Sequence, residues 1–438
     1  MSLDGFRPGG ALQGDLYVPC SKSIAQRVLV CSALAKGRTH LAPMLLGEDG
    51  TSALAAIQAA GAAVTREGED LLITGSSLAG GLRATGDVDV GESGTMARLM
   101  TAALAFNGTS GRKVRVCGSG SIARRRSPAL FAALRAAGVE IEFEGEADGW
   151  PVRIGPIEPP SDMLLTDPSS SQEVSGLLIA LAGHAGTHRL TVHGSIPSSG
   201  YVDMTCRVLA ALGVRTDLGQ ESPGTQTFEV RGALRESEER LRIVEPDASA
   251  AAVALAAGCL SGGSVRVPGL GPSSWQADKR IVEHLQEFGC TAGADEGALY
   301  ASGLPVRGVD LDLSATPDLA PVIAALAGAV ALSSEGSSVL SGLGTLPGKE
   351  SSRIEVLASG LSALGLHAVA TADSLGISPG NPVTGVVELD PHGDHRMAFA
   401  FGLLSLFRDG IRVKDPTCVA KSWPAFWDEL ERSGARRG

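Results

Sequence analysis

Aromatic side chains make up only 4% of this 438-residue chain. Its interior therefore has to be built from small and aliphatic groups packed closely in helices and sheets. Cations are outnumbered, 37 Lys and Arg against 48 Asp and Glu, for a formal charge of -11. That balance argues against a nucleic-acid or anionic-membrane partner. It leaves room for a small anionic ligand in a local basic pocket. Cysteines are few and scattered, at Cys20, Cys31, Cys117, Cys206, Cys259, Cys290 and Cys418, with no CxxC and no zinc-ligand spacing. They read as buried thiols in a reducing compartment. Long apolar runs are missing too: the stretches Ala248 to Leu260 and Pro321 to Leu332 are too short to span a bilayer. The opening MSLDGFRPGG has no basic segment before an apolar one, so the expectation is a soluble, cytoplasmic protein without a signal peptide.

What is present is repetition. Gly is abundant at 57 residues. Six amphipathic helical segments each end on a glycine before a β-like run: SALAAIQAAG at Gly61, ALFAALRAAG at Gly138, TCRVLAALG at Gly213, RIVEHLQEFG at Gly289, IEVLASGLSALG at Gly365 and FWDELERSG at Gly434. Successive glycines lie roughly 70 to 77 residues apart, the period of one unit copied six times. A glycine just past the last turn is the expected C′ residue. Interleaved with these are six segments apolar nearly all round, such as GTMARLMTAALAFNG and DLAPVIAALAG, which predict buried helices. Each leads into a β-like run, among them VRVCG, LTVHG, VRVPG, SVLSG and IRVKD.

The fold class is therefore α/β, with six units in two domains of three, because single cores rarely outgrow roughly 250–300 residues. The unit is of βαβαββ type around a buried helix. The charged stretch RESEERLR marks the crossover, around 232 to 243, so the domains are expected at 1-20 plus 243-438 and at 21-242.

The residues at the start of each buried helix stand apart: CSKSIAQR, ESGTMAR, SSSQ, EPDAS, TPDLA and GDHRMA. Helix N-termini offer unpaired N–H groups and a partial positive charge to anions. If three units pack about a pseudo-threefold, these ends form a polar rim in each domain, and an anionic substrate in an interdomain cleft follows. The plainer reading of each Ser, Thr or Asp is an N-cap. Lys22, Arg27, Arg98 and Arg396 resist that reading, because the dipole disfavours cations in a first turn, and a cation there implies a neighbouring anion. Further cations sit in GSGSIARRR, LPGKESSR and VAKSWP; for Arg124 and Arg126 a solvated face is the default.

Three other motifs fail on spacing or context. GTLPGKESS lacks the P-loop spacing and has Glu350 after its lysine. HGDH lacks a third metal ligand. GSGSIA with Glu142 imitates a dinucleotide fingerprint, but Pro128 falls inside the helix that this fingerprint needs.

Taken in order, PCSKSIAQR, SGTMAR, SIARRR, SSSQ, SSGYVDMT, DASAAA, TPDLAP, GKESSR, DHRMA and AKSWP resemble the EPSP synthase family, from about Val18 to Pro424. The resemblance implies two domains of three repeats closing on substrate. It implies a transferase that moves the enolpyruvyl group of phosphoenolpyruvate to the 5-hydroxyl of shikimate 3-phosphate and releases phosphate. No cofactor or metal is implied, nor any nucleic-acid or membrane partner, and a monomer is expected. Carried over to matching positions, Lys22 touches both substrates and counts with Asp318 and Glu350 as catalytic. Asp318 is the base on the attacking hydroxyl and Glu350 the acid near the methylene. Gly94, Arg125, Gln172, Arg353, Arg396 and Lys421 cradle phosphoenolpyruvate. On the acceptor side, Ser23 and Arg27 hold the shikimate part, and Ser170, Ser171 and Ser198 bind its phosphate. Gln172 and Tyr201 line the ring, with Asp318, Thr345 and Lys349 beside it.

The chain departs from the family pattern at Cys20 (usually Gly), Gln26 (Asn), Glu92 (Asn), Arg126 (Pro), Glu173 (an aromatic), Ser199-Gly200 (a Lys-Pro-like pair), Thr345 (Asn) and Ser352 (Asp). The donor side keeps its charges, and the changes gather on the acceptor side and its supports. Glu92 close to an anion site would repel phosphate by up to a few kcal/mol at low effective dielectric. The alternatives are a paralogue acting on a different phosphorylated cyclitol or sugar acid, a nucleotide-sugar transferase using Cys117 as acid, a dinucleotide-binding dehydrogenase and an inactive binding homologue.

Overall fold

The computed structural model describes residues 3–75, 81–84, 86–109, 112–242, 244–333 and 336–438. The chain divides into two compact units, Cys20–Val244 and Met1–Pro19 with Glu245–Gly438. All six apolar segments are helices: Lys22–Leu34, Gly94–Asn107 and Ser171–Ala182 in the first unit, and Ala248–Leu260, Ala320–Ser333 and His395–Phe407 in the second. Within each unit the three helices pack pairwise on one another. Most of their residues on every face are buried, as all-round apolarity requires. The small residues that replace aromatics serve this close approach: in Ala248–Leu260, every residue except Ser249 is buried.

The six amphipathic helices, Glu48–Ala59, Pro128–Ala136, Gly200–Ala211, Ile281–Glu287, Arg353–Ala363 and Phe426–Arg432, end where the glycines predict. Gly61, Gly138, Gly213, Gly289, Gly365 and Gly434 all have positive φ, from 81° to 119°, a conformation that a Cβ would strain.

Four of the buried helices join strands that pair in parallel. Val88–Asp89 pairs with Val114–Cys117, Asp162–Thr166 with Thr187–His193, Asp310–Asp312 with Ser338–Ser341, and Val387–Leu389 with Ile411–Lys414. The remaining two repeats exchange their leading strands. Gln13–Asp15 precedes helix Lys22–Leu34 in sequence but pairs with Ser264–Pro268. Arg235–Leu241 precedes helix Ala248–Leu260 but pairs with Lys36–Leu41.

RESEERLR is thus not the linker that its charge suggests. Arg235–Leu241 is an edge strand of the sheet containing Lys36–Leu41, where charged side chains meet solvent and blunt the edge. The chain passes between units at Pro19/Cys20 and Val244/Glu245; position 243 lies outside the described residues. The cysteines also need correction. All seven are free thiols, but only Cys31, Cys259 and Cys290 are buried, while Cys20, Cys117, Cys206 and Cys418 are half-buried. No helix among the described residues is long and apolar enough to cross a membrane.

Candidate active site

In the unit Met1–Pro19 with Glu245–Gly438, side-chain bonds tie the first turns of all three buried helices together. Arg396, in the first turn of His395–Phe407, donates from Nη1 to the carbonyl of Asp318 at 3.0 Å and from Nη2 to Ser249 Oγ at 3.3 Å. Asp318 belongs to the turn Pro317–Leu319 that leads into Ala320–Ser333, and Ser249 starts Ala248–Leu260. The helices therefore share one polar end. Asp394 caps His395–Phe407 by accepting from Arg396 N at 3.0 Å.

Arg353 is the hub of this end. It is 1% exposed and meets three carboxylates: Asp394 from Nε at 2.8 Å, Glu350 from Nη2 at 2.8 Å and Asp318 from Nη1 at 3.1 Å. Lys349 Nζ stands 3.6 Å from Asp318 Oδ1, Arg396 Nη2 3.4 Å from Asp318 Oδ2, and Lys421 Nζ 3.6 Å from Glu350 Oε1. Burial alone would raise the Asp318 pKa, but Arg396, Lys349 and Arg353 outweigh it and hold the carboxyl well below its ordinary range. Lys349 is held below the usual lysine value. The charge of Asp318 works to raise it, but burial and the guanidiniums of Arg353 and Arg396 prevail. Six of the residues carried over from the resemblance, Asp318, Lys349, Glu350, Arg353, Arg396 and Lys421, thus form one connected cluster. Thr345 stands outside it, with a buried hydroxyl that has no hydrogen-bond partner among the described residues.

In the unit Cys20–Val244 the N-caps of the buried helices are neutral: Ser21, Ser93 and Ser170. Lys22 Nζ pairs with the buried carboxylate of Asp49 at 3.0 Å. Gln26 Nε2 donates to Ser93 Oγ at 2.8 Å, joining two of the helix starts. Arg27 is enclosed, 1% exposed, and burial pushes its pKa down to about 10. It donates to the carbonyls of Ser23 (2.8 Å) and Tyr201 (3.3 Å) and to the hydroxyls of Thr205 (2.7 Å) and Ser175 (3.2 Å). It also lies over the Tyr201 ring, 5.9 Å from its centroid. Ser23, Tyr201 and helix Ser171–Ala182 are thereby fixed about one guanidinium. Ser198, at φ 53°, accepts from Tyr201 N through its carbonyl at 3.1 Å.

Glu173, one of the departures, completes a capping box with Ser170. Its Oε2 accepts from Ser169 N at 2.8 Å and Ser170 N at 3.2 Å, while Ser170 Oγ accepts from Gln172 N at 3.2 Å. Ser171, the first helical residue after this cap, is buried. Gly94 opens Gly94–Asn107 with the Arg125 guanidinium against it: a Cβ there would overlap Arg125 Nη1. Arg98 reaches the carbonyls of Gly94 and Arg126, both at 2.9 Å, and lies 5.4 Å from the Trp150 ring centroid. Glu92 turns its carboxylate to Gly120, whose missing Cβ makes the room. Arg126 pairs with Glu146.

Cations at helix starts do have anions beside them, but for Lys22 and Arg396 these include the protein's own Asp49 and Asp318. For Arg27 and Arg98 the acceptors include backbone carbonyls. Pro128 also needs correction. It is the first residue of helix Pro128–Ala136, preceded by a separate 3-10 turn Gly120–Arg124, so the glycines do not open the helix as a dinucleotide site requires. Asp49, Asp278 and Ser175 do not stand out in the sequence as site residues, and Ser249, Thr205 and Asp394 lie in the motifs EPDAS, SSGYVDMT and GDHRMA without being marked there as site residues. Asp394 was visible as an acid just before an apolar run. Asp49 in the first turn of Glu48–Ala59 reads as ordinary dipole complementation.

Chemically, the first cluster offers two carboxylates for proton transfer among four cations that suit a multiply charged anion. The sequence model for EPSP synthase (3-phosphoshikimate 1-carboxyvinyltransferase) matches residues 6–430. The 3-phosphoshikimate 1-carboxyvinyltransferase of Methanoculleus marisnigri is 34% identical over 431 residues, 97% of this chain and 98% of that protein. That of Burkholderia multivorans is 32% identical over 433 residues, 97% of each. Among solved structures, an EPSP synthase from Acinetobacter baumannii superposes with a TM-score of 0.79 at 25% identity, covering 100% of this chain and 99% of that one. The enolpyruvyl transferase NikO from Streptomyces tendae shares the fold, with a TM-score of 0.73 at 19% identity over 100% and 98% of the two chains.

Proposed function

The chain belongs to the EPSP synthase family, and from that premise we propose that it transfers the 1-carboxyvinyl group of phosphoenolpyruvate to the 5-hydroxyl of shikimate 3-phosphate. The observation that carries the reading is the cluster in which Arg353, Lys349 and Arg396 surround Asp318, with Glu350 bound to both Arg353 and Lys421. A proton from Glu350 goes to the methylene carbon of phosphoenolpyruvate, and Asp318 takes the proton of the attacking hydroxyl as the new C–O bond forms. The tetrahedral intermediate then loses phosphate, which leaves with the proton that Asp318 took, and the methyl group returns a proton to the Glu350 carboxylate as the double bond is restored.

Asp318 is a poor base while three cations face it. An arriving dianion shares those cations, so the Asp318 pKa rises when the donor binds and the base gains strength at the moment of need. The family resemblance assigns Arg353, Arg396, Lys421, Lys22, Gly94, Arg125 and Gln172 to the donor's carboxylate and phosphate, groups that cations and backbone N–H suit. Ser23, Arg27, Ser170, Ser171, Ser198, Tyr201, Thr345 and Lys349 serve the acceptor. With this reading comes a cytoplasmic monomer that works without metal or organic cofactor, as the family resemblance implies.

The test is phosphate release from phosphoenolpyruvate with shikimate 3-phosphate, against phosphoenolpyruvate alone. Release that depends on the shikimate ester supports the assignment. One observation favours a second acceptor. The Glu173 carboxylate takes the N–H groups of Ser169 and Ser170, where the resemblance puts the acceptor phosphate, and Ser199-Gly200 brings no cation. Phosphoenolpyruvate binding without release would favour that reading and direct a screen of other phosphorylated cyclitols and sugar acids.

A further inference from the structure

We propose that Asp278 is a positioning residue that acts through Ser249 to set the guanidinium of Arg396 for phosphoenolpyruvate, an inference that rests on the assignment of Arg396 to that substrate. Ser249 Oγ donates a close hydrogen bond to Asp278 Oδ2, and Arg396 Nη2 donates to the same Oγ at 3.3 Å. A hydroxyl has one proton and two lone pairs, whereas guanidinium only donates. With its proton committed to Asp278, Ser249 must present lone pairs to Arg396. The carboxylate thus fixes the sense of the hydroxyl, and the hydroxyl fixes one edge of the guanidinium.

Asp278 itself is held firmly. It is 4% exposed and sits in the turn Ala277–Arg280, whose approach is bonded to the start of helix Ala248–Leu260. Gln276 Oε1 accepts from Ala248 N at 2.9 Å, and its Nε2 donates to Glu245 Oε2 at 3.0 Å and to the Pro246 carbonyl at 2.7 Å. Glu245 also accepts from Trp275 N at 3.0 Å. Burial and the nearby charge of Asp318 push the Asp278 pKa up to about 6, so ionisation there is unfavourable, and a purely structural role would be met at less cost by an amide. The division of labour follows from the chemistry. Arg396 is also tied to Asp318 (Nη1 to its carbonyl at 3.0 Å, Nη2 to Oδ2 at 3.4 Å), but Asp318 changes charge during turnover as the base. Asp278 and Ser249 supply an anchor that does not react.

Ser249→Thr and Ser249→Val have nearly the same shape and differ in the hydroxyl, so they isolate the bond. Phosphoenolpyruvate affinity, measured by calorimetry on the full chain, is expected within twofold of wild type for Thr. For Val, and for Asp278→Asn, it is expected to weaken about tenfold, the scale of one hydrogen bond to a charged group. In steady state the KM for phosphoenolpyruvate should rise about as much, with the acceptor KM unchanged within twofold. Equal weakening by Thr and Val, wild-type affinity in both Val and Asp278→Asn, or parallel loss of both substrates would overturn the proposal. Calorimetry needs no acceptor, so a wild-type protein that binds phosphoenolpyruvate without turning over shikimate 3-phosphate would fail the functional reading and leave this test intact. Should Asp278→Asn not fold, the Thr and Val pair decides.

Discussion

The guanidinium of Arg353 meets the carboxylate of Asp394 twice, Nε to Oδ2 at 2.8 Å and Nη2 to Oδ1 at 3.3 Å, with both side chains closed off from solvent. Asp394 also caps helix His395–Phe407 and accepts from Ser351 Oγ at 3.1 Å. Breaking a buried pair costs up to about 3–5 kcal/mol; Glu350 and Asp318 stay on the guanidinium and lessen that cost, while the lost helix cap adds to it. Asp394→Ala is therefore expected to lower the urea unfolding midpoint strongly, beyond any effect on turnover. Glu350→Gln touches the same guanidinium at a more open edge and should cost far less stability. An Asp394→Ala protein as stable as wild type would contradict this role of Arg353 as the hub.

Asp318→Asn keeps the shape of the side chain and its backbone bond to Arg396 while removing the base. Its kcat for phosphate release is expected to fall about 10²–10⁴-fold, the usual span of one positioned general base. Both substrates should still bind, which equilibrium titration can check. A variant retaining a tenth of the wild-type kcat would take Asp318 out of the base role.

The fold was legible where its cause is local. All-round apolarity marks the six buried helices, and Gly61, Gly138 and their four counterparts mark the ends of the amphipathic ones. The exchanged strands were not legible, because nothing in QGD at Gln13–Asp15 or RESEERL at Arg235–Leu241 names a partner some 200 to 250 residues away. In the candidate site, the cations at helix starts stood out against the dipole, but their internal anions did not. Asp278 reaches Ser249 only because two elements 29 residues apart fold together. Glu173 carried a readable signal of its own, the S-x-x-E spacing from Ser170, which comparison with the family's aromatic alone passes over.

Gly94 is where the donor side has least slack. A methyl group there would overlap Arg125 Nη1 and crowd Arg98 Nη1. Gly94→Ala is expected to push the Arg125 guanidinium aside and raise the KM for phosphoenolpyruvate several-fold, with the acceptor KM nearly unchanged. Arg125→Ala should do the same more severely. Glyphosate is expected to compete with phosphoenolpyruvate in wild type and to lose potency in Gly94→Ala. Insensitivity of the wild type at millimolar glyphosate would mean that the two loops carrying Glu92 and Gly120 exclude it.

Asp278 gives a pH dependence opposite in sign to that of Asp318 and Asp394. The groups acting on it are Ser249 and the cap Asp247 of helix Ala248–Leu260, Asp318 in the turn before Ala320–Ser333, and Arg396. Burial and Asp318 prevail, raising its pKa from an ordinary 3.8 to about 6. Between those values the folded chain holds a proton that the unfolded chain has lost, so stability falls as pH rises through the window, and the full penalty applies above about pH 6. Asp318 and Asp394 are shifted downward, so their stabilisation is present above about pH 4 and is lost only below it, outside this window. Asp278→Asn cannot ionise and leaves Ser249 only a weaker, neutral acceptor. It should unfold at higher urea than wild type at pH 7.5, with the difference shrinking toward pH 4, while binding phosphoenolpyruvate less tightly. Gaining stability and losing affinity together is the mark of a charge kept for function. A difference in unfolding midpoint that ignores pH, or a variant less stable than wild type at pH 7.5, would show that Asp278 is not an ionised acid in the folded chain.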